Sequence, residues 1–229
     1  MIFSRLFPEA YTSMDYDKLI KEALHEYQLN GVLHLGACSP CEQLKIYEGS
    51  SLKEIILVEG NPELAKSFDD IHMSISSRYT FLNAVVSDTD DEIVDFHIIY
   101  SKCSRNKGTS SLYKRKKNKG FVTKKVVKLP TVTVDKLLER NGIDAESIDF
   151  LVMDIQGAEL LALKGAKKIL SHVKVIITEL MWKSAYEMQP TANEIESFLM
   201  TQGFKKIRTL RVNSSWGDAM FVKIGEKHE

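Results

Sequence analysis

The sequence predicts an α/β domain built on a mostly parallel sheet. Short apolar runs of strand length alternate with stretches of helical periodicity along most of the chain. Several of these runs end in a glycine or an acid, as strands do when their carboxyl ends face a ligand crevice. Two further runs close the chain as an apparent hairpin, and neither an internal repeat nor an interdomain linker interrupts the pattern. Residues 1–229 therefore read as one domain, with residues 1–30 as an N-terminal helical extension.

The elements follow in order. YDKLIKEALHEYQL (16–29) has helical apolar spacing, and Asn30-Gly31 stops it. GVLHLGA (31–37) is a short buried strand with glycine at its end, and EIILVEGNP (54–62) is a second strand closed by a turn. YTFLNAVVSD (79–88) is a third strand, and EIVDFHIIYS (92–101) alternates like a half-exposed one. KVVKLPTVTVDKLLERNGI supplies a strand, then a helix from Val134 or Asp135 capped by Gly142. IDFLVMDIQGAELLALKGA supplies a strand ending at Asp154 and a helix ending near Gly165. VKVIITEL (173–180) is another strand, and it also ends in an acid, Glu179. TANEIESFLMTQGF is a helix whose Thr191 and Glu194 have capping-box spacing. KKIRTLRV and DAMFVKIG form the closing hairpin.

Composition narrows the function. The chain has 31 basic and 31 acidic residues and a net charge of +0, which argues against general nucleic-acid binding. A chain this long buries roughly 70% of its unfolded surface and needs no disulfides to fold. Three cysteines, an odd and low number, fit a reducing cytosol. The N-terminal residues contain no apolar core of a signal peptide, and no run approaches the ~20 apolar residues of a membrane span. The sequence thus predicts a cytoplasmic protein.

The stretch HLGACSPCEQL (34–44) carries a C-x-x-C pair. Ser39, Pro40 and Glu42 read as an N-cap, a first-turn proline and a reciprocal capping acid, so the stretch is strand, Gly36, turn, helix. A thiol at a helix start is acidified, which leaves a redox dithiol as an alternative, and Cys103 would have to complete a zinc site. Small structural cysteines in a turn explain the pair more simply. The turn has Gly36 but none of the later glycines of a dinucleotide fingerprint, which disfavours a pyrophosphate cradle and a nicotinamide oxidoreductase. A nucleoside cofactor without phosphates, such as S-adenosylmethionine, needs no such cradle. Glu59 ends the second strand 23 residues after Gly36, where an acid suits ribose hydroxyls. Ser87 and Asp88, ending the third strand, are candidates for the adenine amino group.

Asp154 ends an apolar strand, Gly157 opens the next helix, and Glu159 lies in its first turn, where a carboxylate also suits the helix dipole. Glu179 brings a second carboxylate to the same edge from the next strand. Asp154 is the first choice for a general base or metal ligand, with Glu179 beside it. A divalent cation held by both would acidify an acceptor hydroxyl. His34 reads either as a core histidine or as a reserve base.

These residues resemble the FkbM family of S-adenosylmethionine-dependent methyltransferases from about Gly31 to Phe221. MDIQGAELLALKGA resembles its D-x-x-G-x-E-x-x-x-L-x-G signature, and VEGNPEL, NAVVSD, GTSSL and LPTVTVDKLL resemble its other motifs. The first glycine motif departs from the family's acid–x–Gly–Ala–Asn pattern, reading His34-Leu35-Gly36-Ala37-Cys38. The resemblance implies a Rossmann-like class I fold with a seven-stranded sheet and a C-terminal antiparallel hairpin. It also implies cofactor contacts from Gly36, Ala37, Glu59, Asn61, Ser87, Asp88 and Asp154. The implied reaction is O-methylation of a small-molecule or glycan hydroxyl, often on a sugar or polyketide-type product. A cofactor- or partner-binding module without catalysis is the alternative.

Residues 101–125 contain ten Lys or Arg and no acid. A solvated loop is one reading. The other is a mobile substrate loop hinged at Gly108 and Gly120, with Ser110, Ser111, Lys114 and Arg115 facing an anionic acceptor.

Overall fold

The computed structural model describes residues 14–38, 43–66, 77–101, 108–117, 120–211 and 213–225. Helix α1 (Met14–Glu26) buries Tyr16, Leu19, Ile20 and Ala23, a single stripe at helical spacing. Strands β1 (Gly31–Leu35), β2 (Glu54–Glu59) and β3 (Tyr79–Asn83) follow, with short helices α2 (Leu44–Glu48) and α3 (Pro62–Ala65) between them. β4 (Val85–Val86), β5 (Ile93–Ser101) and β6 (Phe121–Val132) precede α4 (Val134–Arg140). β7 (Phe150–Met153), α5 (Glu159–Lys164), β8 (Val175–Met181), α6 (Ala192–Thr201), β9 (Phe204–Arg211) and β10 (Trp216–Lys223) complete the chain.

Seven strands form one sheet in the order β3-β2-β1-β7-β8-β10-β9. All pairs are parallel except those of β10, which runs antiparallel to both β8 and β9. β1 alternates its side chains between two cores. Leu33 and Leu35 join Leu138 of α4, Leu163 of α5 and Ile195 of α6 on one face. Val32 joins Leu19 and Ile20 of α1 and Tyr47 of α2 on the other. Each fully buried aliphatic side chain contributes about 1.5–3 kcal/mol, so both layers hold the sheet between them. None of the described helices is long and apolar enough to cross a membrane.

The helix starts predicted for the second half hold. Thr133 Oγ1 accepts the Lys136 N–H at the start of α4. Thr191 N–H and Oγ1–H both meet Glu194 Oε2 at the start of α6. Three expectations need correction. The run 79–88 is not one strand: it breaks at Ala84, whose N–H donates to the Glu59 carbonyl. β3 stays in the main sheet, whereas β4 pairs with β6 in a separate three-stranded sheet of order β4-β6-β5. Helix α2 starts at Leu44, with Gln43 before it and no side-chain cap, rather than near Pro40. The capping residues proposed there, Ser39, Pro40 and Glu42, lie with Cys41 outside the described residues, as does Cys103. Finally, residues 101–125 are not one loop. Ser101 ends β5, Phe121 opens β6, and residues 108–117 are tied down between other elements.

Candidate active site

The chain runs outward from β1 through β2 to β3, then returns to place β7 on the other side of β1. Such a reversal of strand order opens a crevice at the carboxyl ends of the strands. A cleft of about 540 Å³ lies there. Gly36, Glu59 and Asp154 meet in it from the ends of β1, β2 and β7. Ala84, Val85, Val86 and Phe96 supply an apolar wall, and Gly108, Ser110 and Leu112 line it from the 108–117 segment.

Gly36 is required by contact as well as conformation. Its φ is +83°, and a Cβ there would lie 1.9 Å from the Asp154 carbonyl oxygen. Gly36 and Ala37 both donate N–H to the Val58 carbonyl, at 2.8 and 3.0 Å, so the turn folds over the end of β2. Cys38 follows at φ 55°. Its N–H donates to Glu59 Oε2 at 3.0 Å, and the Asn61 N–H donates to Oε1 at 2.7 Å. Burial pushes the Glu59 carboxyl up to about 7, against the pull of those two N–H groups. The Gly60 N–H also pulls on the carboxylate, which keeps lone-pair capacity for a ligand.

The signature loop explains its own pattern. Gln156 and Gly157 have φ of 56° and 103°. Buried Glu159 Oε1 accepts the N–H of Ile155 and of Gly157, both at 3.1 Å, and so fastens this strained turn. Burial raises the Glu159 carboxyl to about 7. Gln156 Nε2 donates to Asp154 Oδ1 at 2.6 Å and holds that carboxylate at the cleft edge.

Residues 108–117 form a strap across the cleft. Ser110 Oγ accepts the Asn61 side-chain amide and the Ile99 N–H, each at 3.2 Å. Ser111 is buried, bridges to His97, and donates Oγ–H to the Gln156 carbonyl at 2.8 Å. Arg115 lies against the Phe121 ring, 3.8 Å from its centroid, and donates to the Tyr186 hydroxyl at 2.8 Å. That hydroxyl is also 2.8 Å from Gln156 Oε1 and 3.1 Å from the Thr109 carbonyl. Tyr186, invisible to motif reasoning, thus joins the strap to the signature loop. Lys114, Lys116 and Lys117 remain exposed on the outer side.

Several expected site residues lie elsewhere. His34 is buried on the α1 side of the sheet, with Nδ1 3.0 Å from the Tyr47 hydroxyl. Burial lowers it to about 3, so it is a neutral core histidine and not a reserve base. Asn61 is fully buried and uses its side chain to cap α3 and bind Ser110. Ala37 is buried behind the turn, and Ser87 and Asp88 sit past the Val86 edge of the cleft wall. Ser111 and Arg115 work within the strap rather than lining the cleft. Glu179 does not end its strand, since β8 continues to Met181, and it is buried beside the cleft instead of in its wall. Its carboxyl is held well above the usual range by burial and by Asp154, Glu159 and Asp218, against the pull of Arg115. The metal expectation for Asp154 and Glu179 is not supported: among the described residues, no group of three or more His, Cys, Asp or Glu side chains could hold a metal ion.

The sheet order, the single antiparallel insertion next to its edge, and a cleft at the switch point define a Rossmann-like class I methyltransferase fold. The chain belongs to the FkbM methyltransferase family, whose domain model, the methyltransferase FkbM domain, matches residues 34–206. Solved structures agree on the fold. Methyltransferase FkbM from Methylobacillus flagellatus KT is 14% identical with a TM-score of 0.51, over 85% of this chain and 43% of that one. The chain therefore spans less than half the length of that protein. TrmK of M. capricolum, in complex with S-adenosyl-homocysteine, is 5% identical with a TM-score of 0.52, over 91% and 68% of the two chains. A putative tRNA methyltransferase of Streptococcus pneumoniae, in complex with S-adenosyl-L-methionine, is 9% identical with a TM-score of 0.50, over 93% and 74%. No curated protein sequence matches the chain.

Proposed function

We propose that this chain is a single-domain, cytoplasmic S-adenosylmethionine-dependent O-methyltransferase whose acceptor is a hydroxyl of a sugar, glycan or related natural product. The observation that carries the reading is the cleft at the β1/β7 switch point in a chain of the FkbM family. Its residues fit a nucleoside cofactor. Gly36 lets a ligand approach the backbone, Glu59 keeps acceptor capacity on its carboxylate, and the apolar wall from Ala84 to Val86 with Phe96 suits a purine. When bound, the cofactor supplies an electrophilic methyl group.

The protein's part is alignment and proton uptake. Asp154 stands at the cleft edge with its carboxylate oriented by Gln156, and Glu179 lies behind it. These two are the groups proposed to take the hydroxyl proton. Gly108, Ser110 and Leu112 of the strap wall one side of the cleft, a placement that would limit water there. The exposed Lys114, Lys116 and Lys117 support an anionic acceptor, drawn in by their field.

The test is calorimetric titration with S-adenosylmethionine and S-adenosylhomocysteine, followed by a methyl-transfer screen over neutral and anionic hydroxylated acceptors. Binding with transfer to an oxygen supports the proposal. Binding with no transfer to any acceptor would turn it into a non-catalytic module, and no binding would end it.

A further inference from the structure

Asp218 is a buried acid that no sequence motif marks. It lies on β10 directly opposite Glu179 of β8 in the antiparallel register. Directly opposed residues project to the same face of a sheet, with Cβ atoms about 4.5–5.5 Å apart. Both side chains are removed from water, at 2% exposure for Asp218 and 6% for Glu179. Glu179 Oε2 is buried without a hydrogen-bond partner. Two ionised carboxylates at that separation repel strongly in a poorly solvated setting.

We propose that Glu179 and Asp218 act as one acid pair that holds a single proton at neutral pH, with Asp218 as the positioning residue that sets the proton affinity of Glu179. The inference rests on the methyl-transfer reading, in which Glu179 stands behind Asp154 at the acceptor side. During transfer the acceptor O–H bond breaks as the O–CH3 bond forms and the S–CH3 bond of the sulfonium breaks. The sulfur keeps that electron pair, and the released proton passes to the pair and then to solvent.

The surroundings bear on the charge of the pair from several elements. Asp154 follows β7, Glu159 begins α5, and both add negative charge. Arg115 of the strap adds positive charge, and Tyr186, after β8, is a neutral phenol whose ionisation burial suppresses. His34 of β1 lies on the same face of the sheet and is kept neutral by burial. The single proton would thus leave the pair only at alkaline pH. Because the unfolded carboxyls ionise near pH 4, the contribution of this proton to stability falls as pH rises from there and is fully lost by the pH at which the folded pair releases it.

The experiment compares wild type with Asp218→Asn, Glu179→Gln and the double variant. Thermal midpoints from pH 5 to 9 are the first readout. Each single variant should remove the same part of the loss of stability with rising pH, and the double variant should remove no more than either. Additive effects, or single variants with the wild-type pH dependence, would overturn the pair. The second readout is infrared absorption of the wild-type protein at pH 7, with Asp carbon-13 labelled in one sample and Glu in another. A protonated buried carboxyl band that Asp218→Asn or Glu179→Gln removes supports the pair, and no such band refutes it even if a variant fails to fold. The third is the pH profile of kcat/KM, whose acid limb, set by protonation of the proton-accepting group, should move by about one pH unit or more in Asp218→Asn. Transfer with an unmoved profile in that variant refutes the pair and leaves the methyltransferase reading intact. An intact stability coupling without any methyl transfer refutes that reading and leaves the shared proton standing.

Discussion

Glu59→Gln changes one oxygen of the cleft to an NH2 group and removes its charge, with little change of shape. In the wild type, Oε1 and Oε2 each accept one backbone N–H, at 2.7 and 3.0 Å, the Gly60 N–H also pulls on the group, and the carboxylate retains further lone pairs. Two ribose hydroxyls donating to those lone pairs would form two charge-assisted bonds, worth about 1.5–3 kcal/mol each. The amide can accept only one of them, and as a neutral group. A loss of about 2 kcal/mol corresponds to a roughly 30-fold rise in the cofactor Kd. The amide NH2 also faces a backbone N–H of Asn61 or Cys38, which should lower the melting temperature. The pH dependence gives a second handle. Burial raises Glu59 to about 7, so the ionised form that accepts both hydroxyls predominates only above that pH. If that form alone binds, affinity should improve about tenfold from pH 6 to pH 8, and Glu59→Gln should abolish the improvement. For stability the sign is opposite. An acid with a raised folded pKa favours the fold below its unfolded value, and this contribution is lost as pH rises from about 4.5 to about 7. Calorimetric titration at pH 6, 7 and 8, with melting curves alongside, tests all of this. Wild-type affinity in the Gln variant at pH 8 would refute the ribose assignment. A wild-type pH slope persisting in the variant would move the titration to another group, such as Glu159.

Asp154→Asn keeps its bond geometry toward Gln156 approximately, so it should melt near wild type while methyl transfer falls on the order of 10²-fold or more; an active variant contradicts the base assignment. Gly36→Ala places a methyl group 1.9 Å from the Asp154 carbonyl at a positive φ, and denaturant titration should show a loss of about 2 kcal/mol or more together with weakened cofactor binding. Glu159→Ala frees the N–H groups of Ile155 and Gly157 and should cost about 2–4 kcal/mol by the same titration, with the acceptor reaction impaired before cofactor binding. Lys114→Ser with Lys116→Ser and Lys117→Ser should raise the KM of an anionic acceptor and flatten its salt dependence while sparing cofactor affinity; unchanged kinetics at low salt would make these lysines a solvated surface.

The sequence by itself determined the α/β class, the capping of the later helices, and the acids at the ends of β2 and β7. Those features follow from periodicity and from bonds between residues a few positions apart. Thr191 and Glu194 are three residues apart, and Asp154 ends an apolar run that can hardly be anything but a buried strand. Gly36 and Glu59 were legible for a related reason, because a parallel sheet brings the ends of successive strands to one edge. The tertiary structure alone decided what required distant partners. Val85 and Val86 leave the strand begun at Tyr79 because β6, far along the chain, offers them a different ladder. The strap is held by Tyr186, whose hydroxyl meets Thr109 across 77 residues, so a segment rich in lysine packs although its composition reads as solvated. His34 turns toward Tyr47 because side chains on a strand alternate, and only the packing of α1 and α2 says which side is which. The pairing of Glu179 with Asp218 depends on the register of two antiparallel strands, where a slip of one residue would send one acid to the opposite face. Local chemistry therefore specified where ligand-facing groups stand along each strand, and long-range pairing specified which of them meet.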